Sequence, residues 1–480
     1  MSRAKVFVQN FLVYGLGSIV SKIIPLLMLP IITSIMTDST YYGINDMVNL
    51  TISFAGAVAM MGMYDAMFRM FFEKEDEEFR KNICSTALFF VIGTSILICL
   101  IMFLFKDVLL NVIANDIGYN LLFFVIIFNT FFSGVQTIVS APTRMENKKK
   151  IFLITNTVTP ILSYGISIPL LLKGEYVYAL PIAALSSTII MSAVFYLINK
   201  KWFSYKCISL KYLRILIKIG VPLMPTFIMY WICSSFDRVM IKGMLGLNDL
   251  GVYSVASRIA QISQFIYTAF AMGWQYFAFS TMNDSDQKQL TSNIANYLLI
   301  ISIVSTMGIT ALSKVIFTIL AKGSYKEGFI ILPYLFISPL MLMVFQTLGN
   351  QFVVIKKTYP IPLILTGAAI MNVILNYTLI PIMGIEGASI ATMIGYIIAV
   401  LVVYFITLRV NLIDSEKRIV LSIGIFLVYL FIWRLFTFSS VLLSIALTVI
   451  FLGIYLFIYK SEVELVIKCI KKLKYKMRGA

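Results

Sequence analysis

Four basic residues stand inside long apolar stretches rather than in the polar connections between them: Lys22, Arg69, Arg238 and Arg258. A cation near the centre of a bilayer costs about 2.5–3.5 kcal/mol on insertion scales, so such a residue turns toward protein or a watery cavity. Lys22 shares one helical face with Asn10, Tyr14, Gly17, Ser18 and Ser21, a wet stripe on an otherwise apolar helix. Arg258 lies on a similar stripe with Ser254, Ser257, Gln261, Gln264 and Thr268. Two more stretches are polar along one side, the first through Asn45, Asn49 and Ser53, the second through Thr226, Tyr230, Ser234 and Asp237. Hydrogen bonding between helices accounts for the Ser, Thr and Asn positions. It accounts poorly for Lys22 and Arg258, which have no acid three or four residues away. Unpaired cations suit a cavity that something anionic visits, and phosphate or pyrophosphate is the natural guest for Lys and Arg.

Arg69 and Arg238 admit two readings each. Asp65 precedes Arg69 by four residues, the spacing of a helical ion pair, so Arg69 reads as a salt bridge or interface anchor, or else as a substrate contact. Arg238 reads equally as a snorkelling anchor and as part of an outer cavity wall, because the adjacent Asp237 points elsewhere on the helix. Asp46, Asp65 and Asp237 are the few acids inside apolar stretches, and each could bind a coupling ion or serve as a structural partner. The chain has no histidine, which removes His-based triads, metal sites and proton relays together. Its five cysteines are scattered without a CxxC pair, so they suggest neither a disulfide framework nor a zinc site. No catalytic residue, metal or cofactor is expected.

The elements that must position these residues are membrane spans. Of 480 residues, 60% are hydrophobic and 13% charged, and the mean hydropathy is +0.92. A soluble domain would be about half apolar and a quarter charged. Fourteen stretches are long enough to span: 8–34, 43–70, 83–105, 119–141, 151–172, 177–198, 212–240, 249–277, 290–312, 329–351, 359–381, 384–409, 417–436 and 439–459. The first is expected to stay as a span, since no small-residue cleavage site follows it. With the N-terminus in the cytoplasm, 28 Lys and Arg residues fall on cytoplasmic segments and 7 on external loops, so both termini are expected inside. That bias also explains the net charge of +17 without nucleic acid, and it points to anionic membrane lipids as neighbours.

The most basic loop, about 199–218, follows the sixth span and divides the chain. Both first helices of the halves carry paired prolines, Pro25 and Pro30, then Pro222 and Pro225. Both halves then enter a helix near a Tyr/Gly pair, at Tyr42-Gly43 and Gly251-Val252-Tyr253. The expected organisation is all-α and polytopic, with a six-helix lobe at 1–199, a second at 200–410, two extra helices at 411–459 and a basic cytoplasmic tail at 460–480. Parallel repeats of this kind place a substrate site where the halves meet. In the tail, Val463, Val466, Ile467, Ile470 and Leu473 recur at helical spacing among lysines, as a surface helix would.

Three stretches carry a family resemblance: GLGSIVSKIIPLLMLPIITSIMTDSTYYG, GMYDAMFRMFFEKEDEEFRKNICSTAL and IKIGVPLMPTFIMYWICSSFDRVMIKGMLGLNDLGVYSVASRIAQ. The Gly-Val-Pro start, the Asp-Arg pair and the Gly-Val-Tyr-Ser turn of the third are similar to Wzx-type polysaccharide repeat-unit flippases of the multidrug/oligosaccharidyl-lipid/polysaccharide (MOP) exporter superfamily. The resemblance implies two lobes in a V around a cationic cavity, and alternating access between inward-open and outward-open states. It also implies a bacterial cytoplasmic (inner) membrane location and a substrate of undecaprenyl-diphosphate carrying an oligosaccharide repeat unit of capsule, O-antigen or another surface polymer. Polysaccharide polymerase and glycosyltransferases are the implied protein partners. The related lipid II flippase also has fourteen helices, the last two forming a groove for the lipid tail, whereas many repeat-unit flippases have twelve. A lipid II or other cell-wall precursor flippase is therefore the first rival. A multidrug exporter on the same fold would call for acids in the lobes. A membrane glycosyltransferase or polymerase would call for a large external loop with catalytic acids, and the longest, about 106–118, holds only Asp107 and Asp116.

Overall fold

A computed structural model of the chain describes residues 22–268, 270, 274, 286–355, 357, 359–414 and 417–460. Ser18, Ser21 and the basic tail beyond residue 460 lie outside it, as does the side chain of Tyr230. Among the described residues the regular structure is helical, with no strand. In chain order we number the helices α1 (Lys22–Ile35), α2 (Ser39–Met60), α3 (Met63–Phe71), α4 (Glu77–Leu104), α5 (Lys106–Ala114), α6 (Asn120–Met145), α7 (Lys149–Leu172) and α8 (Ala179–Asn199). There follow α9 (Leu210–Gly220), α10 (Met224–Met244), α11 (Leu247–Ala260), α12 (Gln287–Leu320), α13 (Leu332–Val354), α14 (Pro360–Met383), α15 (Ile385–Arg409), α16 (Lys417–Ile432) and α17 (Val441–Ile458). Among the described residues, eleven helices are long and apolar enough to cross a membrane, or twelve when α2 and α3 count as one bent span. The chain is thus a multi-pass membrane protein. The expected first and eighth spans run partly outside the described residues.

Several helix starts follow from local chemistry. Asp38 caps α2 by accepting from the Thr40 amide at 2.9 Å. Asp76 caps α4 from the Glu78 and Phe79 amides, and Glu77 and Glu78 add negative charge to the first turn, where the helix dipole favours it. The α2–α3 span bends by 49° because Met61 and Gly62 both adopt left-handed backbone, with φ of 43° and 70°. Gly62 is required twice over there. Besides its positive φ, a Cβ would strike the backbone of Gly220 at the end of α9.

The chain forms two compact units. The first comprises Met1–Gln261, Ile319–Gly328 and Thr366–Gly395, the second Ile262–Thr318, Phe329–Leu365 and Tyr396–Ala480. In the first unit, Met63, Met67, Phe71, Phe79, Ile83, Val91, Ile138, Trp202 and Leu216 form a continuous core under α3, α4, α6 and α9. A polar knot closes one end of it. Glu146 pairs with Lys148 and Lys201 at 2.6 Å each, and Asn199 donates to the Val139 carbonyl and the Thr143 hydroxyl. Burial pushes the Glu146 carboxyl upward, but the two lysines outweigh it and hold the group below its usual range.

The second unit contains a seam that the sequence did not suggest. Helices α16 and α17 read as apolar almost all round, yet each turns one polar row inward. Tyr459 donates to Asn296 on α12 at 3.0 Å and shares a hydrogen bond with Ser422, whose carbonyl accepts from Tyr455. Further along, Tyr429 bonds the Met307 carbonyl and Thr448, Trp433 donates to Ser444, and Lys314 donates to the Ser439 carbonyl at 2.7 Å. Such bonds carry helix association in lipid, where apolar packing alone has little preference. The outward faces remain fully apolar, with Phe431, Leu442, Val449 and Phe457 exposed.

Candidate functional site

The four cations that the sequence singles out lie in the first unit, and Arg258 is on one of the two helices that the Tyr/Gly pairs bring together. Helices α2 and α11 cross at their glycines. A Cβ on Gly43 would strike the Leu247 carbonyl, and one on Gly251 would strike the Ser39 carbonyl. Only glycine lets two backbones approach so closely. The crossing is fastened by a hydrogen bond from the Ser39 hydroxyl to the Asn248 side chain. A loop from much later in the chain covers it. The Lys322 amide donates to Thr33 at 3.2 Å, Tyr325 donates to the Asp38 carbonyl at 3.2 Å, and the buried Tyr325 ring meets Tyr42 edge-on.

Just beyond the crossing, α2, α10 and α11 place charges together. Arg238 on α10 reaches Asp46 on α2 at 3.7 Å. The adjacent Asp237 turns the other way and accepts from the Tyr253 hydroxyl of α11 at 2.5 Å. Sequence reasoning left Arg238 between anchor and cavity wall; the structure gives it an interhelical acid. It also resolves Asp46 and Asp237 as partners of named groups. Arg258 is different. Its guanidinium lies 5.6 Å from the centre of the Tyr42 ring and donates to the Tyr164 hydroxyl of α7 at 3.4 Å. Among the described residues it forms no ion pair. A half-buried guanidinium held by a π-face and a phenol keeps its charge available to an anion.

Other expected residues are distributed as follows. Lys22 is on α1 and is half-buried. Asn45 and Ser254 are buried, with exposures of 7% and 5%. Asn49, Ser234 and Gln261 are exposed, as is Ser53, which accepts from the Trp231 indole at 3.0 Å. Arg69 and Asp65 are both exposed on α3 without an ion pair between them, so the four-residue spacing does not produce the salt bridge read from it.

Tyr42 and Tyr164, which hold Arg258, were missed by sequence reasoning. Tyr42 had a signal, since it precedes Asp46 by one helical turn on the same face. Tyr164 had none, because it comes from a distant apolar span. Among the described residues four polar atoms here have no hydrogen-bond partner: the Tyr42 hydroxyl, Asp46 Oδ2, Arg238 Nε and Ser254 Oγ. Unsatisfied buried groups are costly to folding.

A family model described as polysaccharide biosynthesis protein matches residues 7–282. Comparison with curated protein sequences returns no match. Solved structures share the fold. The lipid II flippase MurJ, in an inward closed conformation, is 18% identical with a TM-score of 0.71, over 94% of this chain and 100% of its own. An inward-facing multidrug resistance MATE family transporter of the MOP superfamily is 17% identical with a TM-score of 0.63, over 82% and 98%. A MOP superfamily transporter from Pyrococcus furiosus is 16% identical with a TM-score of 0.59, over 85% and 95%.

Proposed function

This chain belongs to the polysaccharide biosynthesis protein family, and we propose that it is a flippase for undecaprenyl-diphosphate-linked oligosaccharide repeat units in the bacterial cytoplasmic membrane. It works by alternating access between lobes 1–199 and 200–410, with fourteen spans and both termini inside. The observation that carries this reading is Arg258: a cation in an apolar stretch, seated on Tyr42 and Tyr164 with no ion pair among the described residues, beside a row of exposed polar residues. A diphosphate supplies the missing anion. Lys22 on α1 is its second ligand, from the other half of the chain. Arg69 meets the headgroup elsewhere along the path, and Arg238 holds the wall through Asp46. Two cations from two halves can draw on one dianion, and binding then shifts the equilibrium through its different affinity for the two states. Within this reading no covalent chemistry is required.

A lipid II-type substrate is the second reading. It is favoured by the likeness to the lipid II flippase, which covers more of this chain than the likeness to the MATE transporters does. Both substrates present a diphosphate, so the site argument is common to them.

The test is export of surface polysaccharide from a strain dependent on this protein. Each cation supplies a charge-assisted contact worth about 1.5–3 kcal/mol. Lys22→Ala and Arg258→Ala should therefore abolish or strongly reduce export while the proteins insert normally, and Lys22→Arg should keep more activity than Lys22→Gln. Wild-type export by both alanine variants at normal expression would refute the cationic site.

A further inference from the structure

We propose that α9 and the turn before it form a preorganised binding site for anionic phospholipid headgroups. The proposal rests on the cytoplasmic placement of this loop given above. From Tyr176 to Phe236 the chain contains no Asp or Glu, and of its lysines only Lys201 is paired with an acid among the described residues, Glu146. Helix α9 has eleven residues and leads through a three-residue turn into the twenty-one residues of α10. This run is longer than the roughly 20 residues a span needs, and on this proposal its basic beginning sits in the headgroup layer.

One side of α9 is committed to the protein. Leu216 is fully buried, Gly220 abuts Gly62, and the Tyr212 ring meets Phe79 edge-on at 5.4 Å. The other side carries Lys211, Arg214 and Lys218, spaced three and four apart so that they share one face, and all exposed. Lys206 adds a fourth exposed charge. Among the described residues none of the four forms an ion pair. Large apolar side chains stand among them, with Tyr205 79% and Leu210 72% exposed. A row of cations flanked by exposed apolar groups matches a lipid surface, which offers phosphates and acyl chains side by side.

What separates this strap from an ordinary basic loop is that it is pinned. The Ser204 amide donates to Ser85 at 2.9 Å, the Ser85 hydroxyl donates to the Trp202 carbonyl at 3.2 Å, and the Ser209 amide donates to Thr86 at 3.1 Å. All three bonds run to Ser85 and Thr86 on α4, so the cations are held in place before a lipid arrives, and binding does not have to order a loose segment.

The experiment is native mass spectrometry of the full-length protein in detergent, titrated with dioleoylphosphatidylglycerol or dioleoylphosphatidylcholine. Each basic residue near an anionic surface contributes about fivefold, so Lys211→Gln/Arg214→Gln/Lys218→Gln should weaken phosphatidylglycerol binding on the order of 100-fold. Lys211→Arg/Arg214→Lys/Lys218→Arg should bind as the wild type does, which separates lost charge from lost fold. Equal retention of the two lipids by the wild type, or undiminished phosphatidylglycerol binding by the glutamine variant, would overturn the proposal. So would phosphatidylglycerol-independent capture of a cytoplasmic protein by the same three residues. Transport is not measured, so failure of the flippase reading would leave this result standing.

Discussion

At the scale of single residues, the site sorts its cations by what holds them. Arg238 has Asp46, while Arg258 has an aromatic face and a phenol. Removing one member of a largely buried ion pair costs about 3–5 kcal/mol, because the other is stranded, whereas removing both costs much less. Asp46→Asn and Arg238→Gln should therefore each lower the unfolding temperature of the purified protein sharply, and the double variant should recover most of the loss. Additive losses in the double variant would show that the pair does not act as a unit. Lys22, Arg238 and Arg258 were legible in the sequence because a charge inside an apolar stretch is conspicuous. The partners of Arg238 and Arg258 were not, since Asp46, Tyr42 and Tyr164 reach them from other helices and nothing in a linear sequence records that. Arg69 shows the converse failure: spacing allowed an ion pair with Asp65, and two exposed side chains near water gain too little from pairing to form one.

Among the helices, the α2–α11 crossing sets how the site is closed. Gly251 has no room for a Cβ, whereas Gly93 on α4 has nothing within 4 Å of where one would be. Gly251→Ala should cost about 1–3 kcal/mol through overpacking. Gly93→Ala should be neutral or raise stability by about 0.5–1 kcal/mol, since alanine suits a helix interior better. Thermal unfolding of the two variants checks this, and equal behaviour would mean that the crossing is loose. The Tyr/Gly pairs were visible in sequence as a repeated pattern; that the two glycines meet each other was not. That the chain is helical with many spans was legible because length and hydropathy determine it; of the fourteen expected, the described residues hold eleven or twelve. The inward rows of α16 and α17 were hidden, because a few Ser, Thr and Tyr residues barely dent the hydropathy of a helix.

For the whole molecule, orientation is the property on which the site, the strap and the direction of transport all depend. The bias of basic residues puts the segment at Tyr205 inside and the turn at Lys173 outside. Both positions are exposed. In a cysteine-free background, a membrane-impermeant maleimide should label Lys173→Cys in intact cells, and Tyr205→Cys only after the membrane is opened. Labelling of Tyr205→Cys in intact cells would invert the topology and move the headgroup strap to the other leaflet.

The seam between α12 and the last two helices also bears on how the protein is made. Asn296 waits for Tyr459, which follows 163 residues later. At about 5–20 residues per second, that is roughly 8–33 s during which α12 is in the membrane with its polar row uncovered. For that interval the half-made chain is a natural client for an insertase or chaperone that shields polar side chains in lipid. A ribosome stalled before residue 417 would leave the row open indefinitely, marking the fragment for quality control by the same groups that hold the finished protein together.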